Sequence, residues 1–337
     1  MITFCTLFSG SSGNAVYFAT DQGALLVDCG MSGRQVLDAL CAAGLDPAGL
    51  KALLITHEHS DHVKGVGVLS RRLGLPVYAT EGTWQGMDSA VGELAPQHRI
   101  VIRAGESFFL NDLEIAPFSI PHDAADPVGY RIFARDHSVA VATDLGYFSQ
   151  DVRDAITGAD LVLLESNHDP DLLRQNPHYP QRLKTRILGK KGHLSNQSGA
   201  QAAVCLAKSG TRHLLLGHLS SENNTPDLAY RTTHAALTDA GAQVGADVTL
   251  HVAARYRASY LYTMAEEDGR DAAEADGRSD GPGPTRRGAF VRRGGRGGAA
   301  MRHAPDRRAG SRACGFRRDH AGRPVHAPPA AGRGHLF

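Results

Sequence analysis

Residues 56–62 read "THEHSDH" and follow directly on the apolar run "KALLI" at 51–55. Three histidines and an aspartate fall between His57 and His62. Neighbouring imidazolium rings repel, so this crowding makes sense around a positive charge that keeps the rings neutral. The run also stands where chemistry is best held, because a strand end is rigid while the loop beyond it is free to vary. It reads as the core of a metal site.

The same arrangement recurs along the chain. "APFSI" leads into Pro121-His122-Asp123, "VAVAT" into Asp144 and "HLLLG" into His218. If these four strand ends converge, they supply His57, His59, Asp61, His62, His122, Asp144 and His218. That set can hold two cations, with three imidazoles on one, an aspartate and two imidazoles on the other, and one shared carboxylate. Mixed nitrogen and oxygen ligation suits zinc or manganese, whereas calcium prefers oxygen alone. Two divalent metal ions per chain are therefore expected.

Around these ends the pattern is one of short strands. "NAVYFAT", "GALLVDCG", "PVYAT", "HRIVI", "VGYRIFA", "SVAVATD", "LVLLES" and "VTLHVA" are apolar or alternating runs, many bounded by turn-forming residues. Helices are expected over 34–43, 61–73, 148–156, 197–208 and 226–240, several of them stopped by glycine. Strands with helices spaced between them, in two similar halves, predict an α+β protein of four layers, an αββα sandwich.

Composition divides the chain. Residues 1–264 hold 26 acidic and 21 basic residues, and residues 265–337 hold 9 and 15. The second segment has almost no Leu, Ile or Val and no periodicity, so 265–337 is expected to be a disordered Gly/Ala/Arg-rich tail behind a hydrolase domain at 1–264. The opening "MITFCTLFSGSSGNA" lacks a basic start and a long apolar core, and no run approaches the ~20 apolar residues that cross a bilayer. Cys5, Cys29, Cys41, Cys205 and Cys314 are scattered and odd in number, which argues against a disulfide framework. A reduced, cytoplasmic protein with no membrane partner is expected, and a homo-oligomer is compatible with the sequence.

HxHxDH followed by His, Asp and His at later strand ends resembles the metallo-β-lactamase superfamily, whose fold is an αββα sandwich. "FSGSSGNAVYF" (8–18), "LLVDCGMSGRQ" (25–35), "LLESNHD" (163–169), "KGHLSNQSGA" (191–200) and "GHLSSENNTP" (217–226) together resemble its YycJ/WalJ-like branch over residues 1–264. This resemblance implies a 5′→3′ exonuclease on double-stranded DNA with a role in repair. True β-lactamases of this fold commonly carry cysteine where Asp144 stands and lack the histidine after the first-motif aspartate, so lactam cleavage is disfavoured. "GHLSNQSGAQAA" and "HLSSEN" resemble the tRNA 3′-processing endonucleases of this fold. Residues 63–121 are too few for that enzyme's tRNA-gripping arm, and residues 145–217 too few for the inserted cap of RNase J and Artemis-like nucleases.

The expected mechanism is phosphodiester hydrolysis by a hydroxide bridged between two metals, with Asp144 shared between the ions and Asp61 at the reacting centre. Asp28 resembles the family's first-motif aspartate and is expected to orient a ligand histidine. His193 is the candidate proton donor to the leaving oxygen, Glu165 its partner, and His168 a further residue lining the site. Arg182, Lys184, Arg186, Lys190 and Lys191 precede His193 and are candidate contacts for the phosphates of a nucleic acid, double-stranded DNA above all. The competing expectations are a small-molecule hydrolase of lactonase or thioesterase type and a non-catalytic metal-binding regulator.

Overall fold

Alternation along the strands sets the layering. Val139, Val141, Leu161 and Leu163 join one apolar cluster with Phe4, Phe18, Leu25 and Leu54. Their neighbours Ala140, Ala142, Val162 and Leu164 join another with Val152, Ile156, Leu206 and Leu237. A third holds Leu7, Leu26, Leu53, Leu40, Leu69 and Trp84. Three apolar interfaces separate four layers, so strands must be apolar on both faces, as their sequences are.

The structure is a computed structural model and describes residues 1–264 together with the backbone of 300–302. The first half runs β1 (Ile2–Phe8), β2 (Ala15–Thr20), β3 (Gly23–Val27), α1 (Gly33–Ala42), β4 (Leu50–Leu54), α2 (Ser60–Val63), α3 (Val66–Leu73), β5 (Val77–Thr80), α4 (Glu81–Val91) and β6 (Arg99–Ile102). The second runs β7 (Phe108–Leu110), β8 (Leu113–Ser119), β9 (Val128–Ala134), β10 (His137–Ala142), α5 (Gln150–Ile156), β11 (Leu161–Glu165), α6 (Pro170–Gln175), α7 (Gln181–Leu188), α8 (Asn196–Lys208), β12 (His213–Gly217), α9 (Pro226–Asp239) and β13 (Thr249–Val252). Then β14 (Leu261–Met264) and β15 (Ala300–Arg302) return to the first sheet, whose order is β15-β14-β1-β2-β3-β4-β5-β6. The other sheet is ordered β13-β12-β11-β10-β9-β8-β7.

In each sheet four strands run parallel, β3 to β6 in one and β10 to β13 in the other. Their carboxyl ends carry the polar residues, as is usual where parallel strands open into loops. Tyr130 of β9 ties the two sheets at that edge: its buried hydroxyl donates to the Ile55 carbonyl at 2.7 Å.

The αββα sandwich is as expected, with local differences. The expected helix over 61–73 is two pieces, α2 and α3, broken at Gly65, whose missing side chain leaves room for the Met31 carbonyl and Cys29 Sγ. β1, β7, α4, α6 and α7 were not expected: α4 holds two glycines, and α7 is polar with no residue fully buried. The expectation of a disordered tail over 265–337 lies outside the described residues except at Ala300–Arg302, which pairs antiparallel with β14 as an edge strand.

Candidate metal centre

The polar ends converge because the strands are in register. Val27 lies opposite Leu54, so Asp28 and the residues after β4 emerge together. Glu165 lies opposite Gly217, which brings Glu165 beside His218. Asp28, Asp144 and His218 have φ of 62°, 61° and 56°, left-handed corners that are costly for residues other than glycine. Strain of this kind gathers where a side chain must turn back over a strand end.

Two trios result. The ring nitrogens of His57, His59 and His122 form one group, and Asp61, His62 and His218 the other; within each, the ligand atoms lie within 4.8 Å of one another. His57 Nε2 is 3.0 Å from His59 Nδ1, and His122 Nε2 is 3.3 Å from the same atom. In the second trio Asp61 Oδ2 is 3.6 Å from His62 Nε2 and 3.7 Å from His218 Nε2. Asp144 stands between them, 3.6 Å from His62 Nε2 through one oxygen and 3.8 Å from His122 Nε2 through the other.

The outer contacts differ. His57 Nδ1 meets the Thr56 hydroxyl at 3.0 Å, and His122 Nδ1 donates to the Gly192 carbonyl at 3.2 Å. His62 Nδ1 meets Asp28 at 2.8 Å, and Asp28 also accepts from the Thr56 amide at 2.9 Å. His218 Nδ1 meets Glu165 Oε1 at 2.9 Å, and His193 Nδ1 meets the same oxygen at 2.8 Å. Glu165 Oε2 accepts from the amides of Leu145 (2.7 Å) and Leu194 (3.0 Å).

Charge follows these contacts. Burial lowers the His57 imidazole, and the neighbouring rings lower it further. Burial likewise lowers His122. For His62 burial acts in the same sense, but Asp28, Asp144 and Asp61 outweigh it and push it up to about 9. His218 is raised well above the ordinary value against its burial, by Asp144, Asp61 and Glu165. Glu165 stays ionised although burial opposes this, because His193 and His218 face it. The residues fit a metal: Asp144 Oδ2 and His218 Nε2 are buried without a hydrogen-bond partner among the described residues. Crowded imidazoles facing carboxylates are what a divalent cation satisfies, taking the place of the protons that His62 and His218 otherwise attract.

The sequence profile of the beta-lactamase superfamily domain matches residues 23–219. Exodeoxyribonuclease WalJ of Streptococcus pneumoniae is 41% identical over 250 residues, 74% of this chain and 93% of that protein. Exodeoxyribonuclease YycJ of Bacillus anthracis is 38% identical over 248 residues, 74% of this chain and 94% of its own. The chain belongs to the metallo-β-lactamase superfamily, in its WalJ/YycJ family. The metallo-β-lactamase fold protein YhfI of Bacillus subtilis superimposes with a TM-score of 0.59 at 18% identity, over 77% of this chain and 99% of that one, a likeness of fold alone. The chain is accordingly a metal-dependent hydrolase.

Within this metallo-β-lactamase fold the remaining candidates fall into place unequally. His193 sits beyond both trios, its side chain 20% exposed, just ahead of the Ser195 cap of α8. His168 does not join the trios. It is buried beside Asn167 at 3.4 Å, its Nε2 without a partner, and burial pushes it down to about 4. The basic residues lie on α7 and the loop after it, but two already have partners: Lys184 Nζ donates to the Arg174 carbonyl at 2.6 Å, and Arg186 pairs with Asp123 beside His122. Arg182, Lys190 and Lys191 are exposed. Thr56, Asn14 and Tyr130 were missed. Thr56 and Asn14 stood in quoted motifs as hydroxyl and amide, whereas Tyr130 gave no local signal.

Among the described residues, no helix is long and apolar enough to cross a membrane.

Proposed function

We propose that this metal-dependent hydrolase is a 5′→3′ exonuclease on double-stranded DNA that works with two divalent ions, zinc or manganese, in DNA repair. The observation that carries this reading is the similarity to two exodeoxyribonucleases over more than nine-tenths of their length. The number of ions is supported by charge: Asp28, Asp61, Asp144 and Glu165 bring four carboxylates to the site, and two divalent cations would balance them once the ligating imidazoles have given up their protons. His57, His59 and His122 would hold one ion, Asp61, His62 and His218 the other, and Asp144 would serve both. When bound, the ions supply the acidity that activates a water and the charge that the phosphoryl group needs.

The chain's own residues do the rest. Asp28 and Glu165 fix the rings of His62 and His218, and with them the ligating Nε2 atoms. His193, held through Nδ1 by Glu165, keeps Nε2 free to donate a proton to the departing oxygen. Arg182, Lys190 and Lys191, on the approach to His193, would meet backbone phosphates, while Arg186 first has to leave Asp123.

The experiment offers end-labelled duplex DNA, single-stranded DNA, RNA and a lactone in parallel to the full chain with manganese or zinc. Stepwise loss of nucleotides from the 5′ ends of the duplex is expected. Rapid lactone hydrolysis with all nucleic acids untouched would sink the reading.

A further inference from the structure

The turn between β1 and β2, Ser9-Gly-Ser-Ser-Gly-Asn14, supplies no metal-ligand candidate, yet both its ends are tied to the cluster. Ser9 Oγ accepts from the His218 amide at 2.9 Å. The Asn14 amide donates to the Asp61 carbonyl at 2.8 Å, and its side chain lies 3.1 Å from His62 Nε2. The turn therefore rims the Asp61–His62–His218 side of the site. At its apex Ser11 and Ser12 are exposed, and their amides donate to no acceptor among the described residues.

Arg255 lies against Gly10, at the foot of that apex. One of its terminal nitrogens donates to the carbonyl of Leu219, next to His218, and the other is buried with no partner. No carboxylate among the described residues pairs with this guanidinium. Gly10 makes the approach feasible: its φ is 146°, and a Cβ there would stand 2.6 Å from Arg255 Nη1. Beside the turn Tyr256 is 63% exposed, its hydroxyl 3.2 Å from Ser12 Oγ, and Arg257 is exposed next to it.

The guanidinium against Gly10 has the Leu219 carbonyl and the Tyr256 ring, 5.9 Å away, as neighbours but no carboxylate, and the Ser11 and Ser12 amides beside it have no acceptor among the described residues. That arrangement suits an anion, since an uncompensated cation and unpaired N–H groups point their field the same way. An exposed aromatic ring alongside suits a planar base. An anion and a base held side by side, where Ser12 Oγ meets the Tyr256 hydroxyl, describe one nucleotide.

We propose that the Ser9–Asn14 turn, Arg255 and Tyr256 form a nucleotide subsite at the rim of the metal centre. The Ser11 and Ser12 amides, over the charge of Arg255, hold a backbone phosphate, and the base of the same nucleotide stacks on Tyr256. The proposal rests on the nuclease reading and deepens it by assigning where the strand lies. It is a binding role, and no bond is made or broken there.

The test uses the full chain with manganese and duplexes in which the nucleotides near the cut end are replaced one at a time by an abasic residue. Tyr256→Ala should raise KM for intact DNA roughly tenfold, about 1.4 kcal/mol, with the effect in KM rather than kcat. Tyr256→Phe, which keeps the ring, should recover most of that loss. The wild type should show the same penalty when the abasic residue occupies one particular position, and there Tyr256→Ala should add nothing further. Arg255→Gln should flatten the salt dependence of binding by about one phosphate contact. A Tyr256→Ala enzyme that cleaves DNA with wild-type KM, or whose loss adds to the abasic penalty at every position, overturns the subsite and leaves the nuclease reading standing. A wild type that cleaves no nucleic acid overturns both.

Discussion

His57 and His122 lean outward on a hydroxyl and a backbone carbonyl, whereas His62 and His218 lean on the buried carboxylates of Asp28 and Glu165. The rings are alike and the depth of burial is similar, yet the first pair is lowered in pKa and the second raised. The contrast teaches that the carboxylates facing each ring, not the imidazole itself, set the difference: Asp28, Asp144 and Asp61 around His62, and Asp144, Asp61 and Glu165 around His218. The Asp61–His62–His218 side should therefore hold its ion more tightly, and the His57–His59–His122 side should release its ion first to a chelator.

The most severe way to break this asymmetry is to remove the residue common to both sides. Asp144→Ala should reduce turnover to background, by at least roughly 10³-fold, and elemental analysis should find fewer than two ions per chain. A variant that keeps both ions would show that Asp144 is not shared. His193→Ala comes next, because His193 belongs to neither trio. DNA turnover should fall roughly 10²–10⁴-fold with metal content unchanged. The defect should shrink on a nitrophenyl phosphodiester, whose leaving group departs without a proton; equal losses on both substrates would refute a proton-donor role.

A gentler change sharpens the comparison itself. Asp28→Asn should weaken one ion roughly 10–100-fold in a calorimetric titration and spare the other, while Thr56→Val, which touches His57 through a neutral hydroxyl as well as Asp28, should cost less. Two ions weakened equally by Asp28→Asn would mean that the sides are not independent. The smallest effect concerns the brace between sheets. Tyr130→Phe leaves the buried Ile55 carbonyl without its donor and should cost about 1–3 kcal/mol in denaturant unfolding with little change in metal affinity.

Much of this was legible before the structure. The HxHxDH run announces itself because its spacing is a property of a single loop. The ends of β8, β10 and β12 were legible as polar residues after apolar runs. What was not legible is equally specific. Gly65 breaks the expected helix over 61–73 because of what packs against it, the Met31 carbonyl and Cys29 Sγ, and no local pattern records such an approach. Tyr130 serves the Ile55 carbonyl from the opposite sheet, 75 residues away in sequence. Arg186 looked like a free cation and is occupied by Asp123, across 63 residues.

The sequence by itself determined the αββα class, the metallo-β-lactamase family and the identity of the residues that crowd one edge, because side-chain chemistry and strand periodicity are written locally. Only the tertiary structure decided which histidines stand together, that Glu165 serves both His193 and His218, and that Arg255 lies against the Ser9–Asn14 turn without a carboxylate. Each of those facts depends on which strand ends lie in register and which loops cross over them. Register and crossing are set by the packing of the whole sandwich, and no stretch of seven residues carries that information.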